Sequence, residues 1–221
     1  MKVKNKENEL ENENVRLRQL LTQAGLDAVA GDVAHRLQKL MLAELHHRVK
    51  NTLTMVQAIA TQTLRSAATM DAASEAIQCR IGALARTHDL LLEQNWDSAQ
   101  LDALLSRAVE PFVAMQRFSM EVPKIAIPSS QALSISLVIN ELATNALKYG
   151  ALSTPEGRVR LMGRLDAQTR DLSLTWTESG GPPVQAPAAR SFGTQLIESA
   201  GDTTLQYRPE GILCELRIPI P

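Results

Sequence analysis

Between Val33 and Ala68 the chain carries no proline or glycine, and Leu42, Leu45, Val49, Val56, Ile59 and Thr63 recur at helical spacing. A run of that length with one apolar stripe predicts a single long amphipathic helix. Thr69-Met70-Asp71 reads as a turn, and a second helix to about Gln94 places Ala73, Ile77, Ile81, Leu84, His88 and Leu91 on one face. Two such helices form a hairpin. A lone hairpin leaves both stripes bare, so pairing with a second copy into a four-helix bundle is the expected solution.

Residues 1–29 precede this hairpin as a short coiled-coil lead-in. Leu10 and Leu17 take d positions and Asn14 and Leu21 take a positions, an arrangement in which one asparagine selects a parallel dimer. The segment also has the look of an added leucine-zipper tag. Ala24-Gly25 and Ala30-Gly31 are expected to interrupt the helix. The hairpin domain is assigned to 30–96.

After Trp96 the pattern changes, and 97–221 reads as a separate α+β domain. Asp97 or Ser98 is placed to cap a helix through Leu101, Leu105 and Val109, ended by Pro111. Strand-like runs at 118–122 and 125–127 lead to a helix over 130–149, stopped by Gly150. Two alternating runs, 159–165 and 172–178, flank a polar turn and predict a hairpin. A loop rich in Gly, Pro and Ala, a short helix from Gly193 and alternating runs at 203–207 and 212–218 complete the chain. Paired strands with segregated helices describe a sandwich of helices on one face of a mixed sheet.

Composition narrows the function. With 23 Lys and Arg against 24 Asp and Glu, the net charge is -1, which gives no electrostatic case for nucleic acid or an anionic membrane as partner. Cys79 and Cys214 stand apart with no CxxC pair, so neither zinc nor a redox motif is expected. There is no apolar run of membrane-spanning length and no signal-peptide pattern, so a soluble, cytoplasmic chain with no membrane span is expected.

Three constellations carry chemistry. In Glu44-Leu-His-His47-Arg-Val-Lys-Asn51, taking Leu45 and Val49 as the buried stripe turns His46 about 100° and His47 about 200° away. His47 therefore faces water beside Glu44 and Asn51. A largely neutral imidazole there is a competent nucleophile, with Arg48 and Lys50 to attract an anion and Asn51 to orient the ring. In Asn140-Glu141-Leu-Ala-Thr-Asn145-Ala-Leu-Lys148-Tyr149-Gly150, Glu141 and Asn145 share a helix face. Beside a triphosphate the Asn145 carbonyl suits magnesium, and Lys148 is one turn away for a phosphate. In Trp176-Thr-Glu178-Ser-Gly180-Gly181-Pro-Pro, a carboxylate ends an apolar strand before glycines that allow close backbone approach, which suits an adenine amino group. Gly193-Thr194 then opens a helix, a place for phosphate. Each block has a plain alternative: a surface histidine, a wet helix face, an ordinary strand and turn.

In this order, the blocks resemble the HWE family of bacterial histidine kinases over residues 40–221. The resemblance implies a dimerisation and histidine-phosphotransfer hairpin followed by a Bergerat (GHKL) ATP-binding domain. It implies autophosphorylation with Mg²⁺ and ATP, then transfer to an aspartate of a response regulator, within a homodimer. His47 matches the phosphoacceptor, since it directly precedes Arg-Val-Lys-Asn. Asn145 matches the magnesium ligand, while Trp176 and Glu178 match two letters of the family name. Lys148, Tyr149, Gly180, Gly181, Gly193 and Thr194 fall in the nucleotide-binding blocks. Glu44 and Glu141 are both candidates for the imidazole proton. Asn140 replaces the family histidine, Ser191 replaces a loop glycine, and the link from Glu198 to Thr203 is short. These departures keep open a catalytically weak, kinase-like dimer that binds a regulator or removes its phosphate. A more distant alternative is an ATPase with Glu141 as base.

Overall fold

Helix α1 runs from Lys2 to Ser66 without a break, in a computed structural model that describes residues 2–94, 96–112, 117–184, 186, 192–199 and 201–220. Gly25 and Gly31 do not interrupt it, contrary to expectation. A glycine inside a helix costs only about 1 kcal/mol against alanine, too little to stop a helix of this length. The turn falls at 67–69, one residue or two earlier than expected. Thr69 caps α2 (Met70–Glu93) by accepting the Ala72 amide at its hydroxyl.

The chain divides into two compact units, Met1–Gln57 and Ala58–Pro221. The first is the exposed part of α1, where Leu42, Leu45, Val49 and Leu53 are each about half exposed or more. Asn14, Leu17 and Leu21 of the lead-in are exposed on helix, while the Leu10 side chain lies outside the described residues. The second unit holds the end of α1, helix α2 and everything after it.

Within that unit, β1 (Ser98–Gln100) pairs antiparallel with β3 (Ala126–Pro128). Neither Asp97 nor Ser98 caps helix α3 (Leu101–Val109), because Ser98 is already in the strand and Gln100 holds the cap position. The main sheet has the order β2-β4-β5-β7-β6, from β2 (Phe118–Glu121), β4 (Arg158–Leu165), β5 (Asp171–Ser179), β6 (Asp202–Arg208) and β7 (Gly211–Pro219). Only the β2–β4 pairing is parallel among these strands. Helices α4 (Ser129–Lys148) and α5 (Phe192–Ser199) complete the fold.

Strand alternation points Leu172, Leu174, Trp176 and Glu178 of β5 to one face, all buried. Leu161 and Cys214 flank Trp176 on the neighbouring strands, and Leu216 lies beside Leu174. Ile135, Ile139, Leu142 and Ala146 of α4 and Leu104 and Leu105 of α3 join them in one core. Burial pushes the Cys214 thiol up to about 12, with Glu215 adding to the shift, so it remains a protonated core group. Among the described residues no helix is long and apolar enough to cross a membrane.

The face of α2 differs from expectation. Ala73, Arg80, Ala83, Leu84, Thr87, Leu90 and Leu91 are buried, whereas Ile81 is exposed. This face is covered by α4 of the same chain, not left for a second copy, and Leu90 and Leu91 belong to the main core.

Candidate functional site

His47 is exposed on α1, as are Leu45 and Val49 beside it, in the unit that also holds Glu44 and Asn51. One helical turn separates it from Asn51, whose side-chain amide lies 3.4 Å from His47 Nδ1. That contact occupies Nδ1 and leaves Nε2 facing solvent. Arg48 donates to Glu44 at 2.8 Å, an exposed pair that water and salt screen strongly. His46 is exposed as well, so exposure alone does not separate the two histidines; the Asn51 contact does.

The second site is a cavity of about 340 Å³ in the other unit, lined by Leu142, Asn145, Tyr149 and Gly150 at the end of α4 and by Pro183 and Val184 of the loop after β5. Thr194 and Ile197 of α5 and Leu205, Tyr207 and Ile212 of the β6–β7 hairpin close it. An apolar slot with a few polar groups is a common form of ligand site. Asn145 and Thr194 supply such groups, and both are among the residues singled out from sequence. The apolar wall from Leu205, Tyr207 and Ile212 was not predicted; alternating strands of this kind carry no local sign of which residue lines a cavity.

Glu178 lies behind Gly150 and is 3% exposed. Its Oε2 accepts the Ala151 amide at 2.8 Å, and its Oε1 accepts the Trp176 indole N–H at 3.1 Å. Burial pushes this carboxyl above the usual glutamate range, and the Ala151 amide and Trp176 indole oppose the shift. Trp176, 1% exposed, holds Glu178 from within the core, and neither of the two lines the cavity.

The glycines serve close approach. Gly150 has φ -107, so it does not end α4 by a left-handed turn. A Cβ there would strike Glu178 Oε2, which is why the position is glycine. Gly180 does adopt φ 72, and a Cβ on Gly181 would come within 2.6 Å of Ala151 Cα. Neither Gly180 nor Gly181 lines the cavity; the prolyl segment after them does.

Two predicted residues are engaged elsewhere. Glu141, 5% exposed, receives both arms of the Arg80 guanidinium, Nε to Oε1 at 2.7 Å and Nη2 to Oε2 at 2.8 Å. Lys148 Nζ sits 2.8 Å from Glu75 Oε1 of α2. Gly193 packs on Glu141, since a Cβ added there would run into Glu141 Oε2. Asn140, fully buried, accepts a weak hydrogen bond from the Cys79 thiol at 3.4 Å, and its Nδ2 has no partner. Ser191 lies outside the described residues.

A helical hairpin beside an α/β sandwich of this topology is the fold of histidine-kinase catalytic regions. The histidine kinase domain of the Erythrobacter litoralis blue-light activated histidine kinase superposes with a TM-score of 0.56 at 14% identity, over 76% of this chain and 94% of that one. A longer structure of the same kinase gives a TM-score of 0.61 at 21% identity, over 81% and 59%. Residues 44–124 match the family described as HWE histidine kinase. Blue-light-activated histidine kinases of Brucella anthropi and Brucella ovis are 35% and 34% identical over 191 residues, 82% of this chain. The chain belongs to the HWE histidine kinase family, and it spans 39% of the length of these Brucella relatives.

Proposed function

We propose that the chain is a histidine kinase core that transfers the γ-phosphoryl group of ATP to Nε2 of its own His47. The observation that carries this reading is the exposed imidazole whose Nδ1 is occupied by Asn51. As placed, Asn51 Nδ2 points at Nδ1 and can only donate; exchanging the amide oxygen and nitrogen lets Oδ1 accept Nδ1–H, which holds the ring in the tautomer whose Nε2 lone pair is free. Attack by Nε2 forms the N–P bond as the bond to the β–γ bridging oxygen breaks. ADP leaves with that oxygen, and the imidazole gives up its Nδ1 proton. Of the two candidate carboxylates for that proton, Glu44 is the less tightly engaged. Its pair with Arg48 is exposed and worth about 0–1 kcal/mol, whereas Glu141 is buried in a two-point pair.

The cavity holds the nucleotide in this reading. Its apolar walls take the base near Gly150, and Glu178 shapes that end from behind. Asn145 and Thr194 serve the phosphate end. Asn145 would hold magnesium, which would supply neutralisation of the charge that develops on the transferring group. The family fold, the exposed His47 and the composition support a homodimer joined along α1, an aspartate of a response regulator as the next acceptor, and a cytoplasmic location.

A weakly catalytic, regulator-binding role is the second reading. It is favoured by the capture of both Glu141 and Lys148 by α2. One experiment separates the two. With γ-labelled ATP the chain should acquire acid-labile label, lost in His47→Ala and retained in His46→Ala. Label that survives His47→Ala and vanishes in His46→Ala overturns the acceptor assignment, and absence of label in the parent chain leaves the second reading.

A further inference from the structure

Arg80 touches no wall of the cavity, yet it joins three helices next to it. Its Nε and Nη2 hold both oxygens of Glu141 on α4, and its Nη1 donates to Thr63 Oγ1 near the end of α1 at 2.7 Å. Thr63 in turn donates to the Ile59 carbonyl at 2.6 Å. A planar guanidinium gripping a carboxylate at two points fixes angle as well as distance. Beyond the pair, Glu141 Oε2 abuts Gly193 in the first turn of α5. The neighbours of these two contact residues, Leu142 and Asn145 on α4 and Thr194 and Ile197 on α5, face the cavity.

Beside apolar contacts such as those of Leu84, Leu90 and Leu91, the seam around Arg80 carries a line of polar pairs. Glu75 meets Lys148, Cys79 meets Asn140 and Thr144, and Thr87 donates to Ser136 Oγ at 2.6 Å. One buried amide, Asn140 Nδ2, is left without a partner. Polar surfaces hydrate when parted, so such a seam shifts at smaller cost than an apolar one of equal area.

We propose that Arg80 is a positioning residue that couples the hairpin to the cavity: it sets Glu141, and Glu141 sets the seat of α5 at the cavity edge. This rests on the reading of the cavity as the nucleotide site. Filling the cavity moves the seat of α5, and the two-point pair transmits that movement to α2. Coupling of this kind is reciprocal, so a change in the hairpin alters nucleotide affinity by the same factor.

Hydrogen exchange on the full chain tests it, with and without magnesium and a β,γ-imido analogue of ATP at saturation. In the parent chain the analogue should protect amides of 192–199 and change exchange in 70–87 by about five-fold, the lower end of typical couplings. In Arg80→Met/Glu141→Leu, which replaces the pair by apolar groups of similar volume, protection at 192–199 should weaken and the response in 70–87 should vanish. A response retained in 70–87 overturns the proposal, as does undiminished protection at 192–199 in the folded double variant. Protection at 192–199 with no response in 70–87 of the parent chain overturns the coupling and leaves the nucleotide reading intact. No protection anywhere in the parent chain removes both. Should the double variant fail to unfold cooperatively, Arg80→Lys decides: keeping the charge without the fork, it should reduce the response by about half or more, and an undiminished response overturns the proposal.

Discussion

Helix α4 has two faces that do opposite work. Toward the sheet and α3 it presents Ala132, Ile135, Val138, Ile139, Leu142, Ala143 and Ala146, all buried and apolar. Toward α2 it presents Ser136, Asn140, Glu141, Thr144 and Lys148, each with a side-chain partner on that helix. The first face belongs to a core whose parts cannot separate without exposing hydrocarbon. The second is built from contacts that water can replace. A permanent joint and a separable one thus lie on a single helix.

The largest expected effect lies, against intuition, on the polar face. Arg80→Met leaves a buried carboxylate without its counter-charge, and breaking a buried pair from one side costs about 3–5 kcal/mol. Urea unfolding measures this, and Glu141→Leu added to Arg80→Met should recover most of it, because removing both charges also removes the desolvation cost. A single variant within about 1 kcal/mol of the parent would show that the pair is no stronger than a surface contact.

On the apolar face no second substitution can offer such recovery. Ile135, fully buried, should lose about 2–5 kcal/mol on Ile135→Ala, since the transfer term and the cavity term both remain. The two faces are then distinguished by the pattern and not by the size of the loss. If a neighbouring substitution restored Ile135→Ala as fully as Glu141→Leu restores Arg80→Met, the comparison would fail.

Apolar stripes were legible from sequence and the polar partners of α4 were not, for one physical reason. Spacings of three and four, or strict alternation in a strand, locate a stripe without knowledge of what lies opposite. Leu101 and Leu105 followed from helical spacing, and Leu172, Leu174 and Trp176 from alternation. Polar residues on a helix carry no comparable signal, so Glu141 was offered for the imidazole proton and Lys148 for a phosphate, with no partner foreseen for either. Their partners Arg80 and Glu75 lie more than sixty residues away in sequence. One sign was present: Arg80 follows Ile77 by three and precedes Leu84 by four, a charge within an apolar stripe. A charge so placed needs a partner, and the only question is where. Gly150 shows the same limit, since a glycine after a helix reads as a turn, while here it makes room for Glu178.

Lys148 gives the smallest effect and the sharpest test of the boundary between seam and cavity. Its side chain is 37% exposed and that of Glu75 is 66% exposed, so the pair stands at the wet end of the seam. An ion pair in that setting contributes about 0–1 kcal/mol, and added salt erodes it. Lys148→Met should therefore lower stability by no more than that, less in high salt. The same lysine was expected from sequence to meet a phosphate, and the two roles compete for one ammonium group. If it serves the nucleotide, Lys148→Met weakens ATP binding, and Glu75→Gln, which releases the lysine, strengthens it. If it serves only the seam, both variants bind ATP as the parent does and share the same small, salt-sensitive loss of stability. Titration of the two variants with Mg·ATP at low and high salt separates these outcomes. Opposite shifts in affinity would add Lys148 to the cavity, and equal affinities would leave it to the seam.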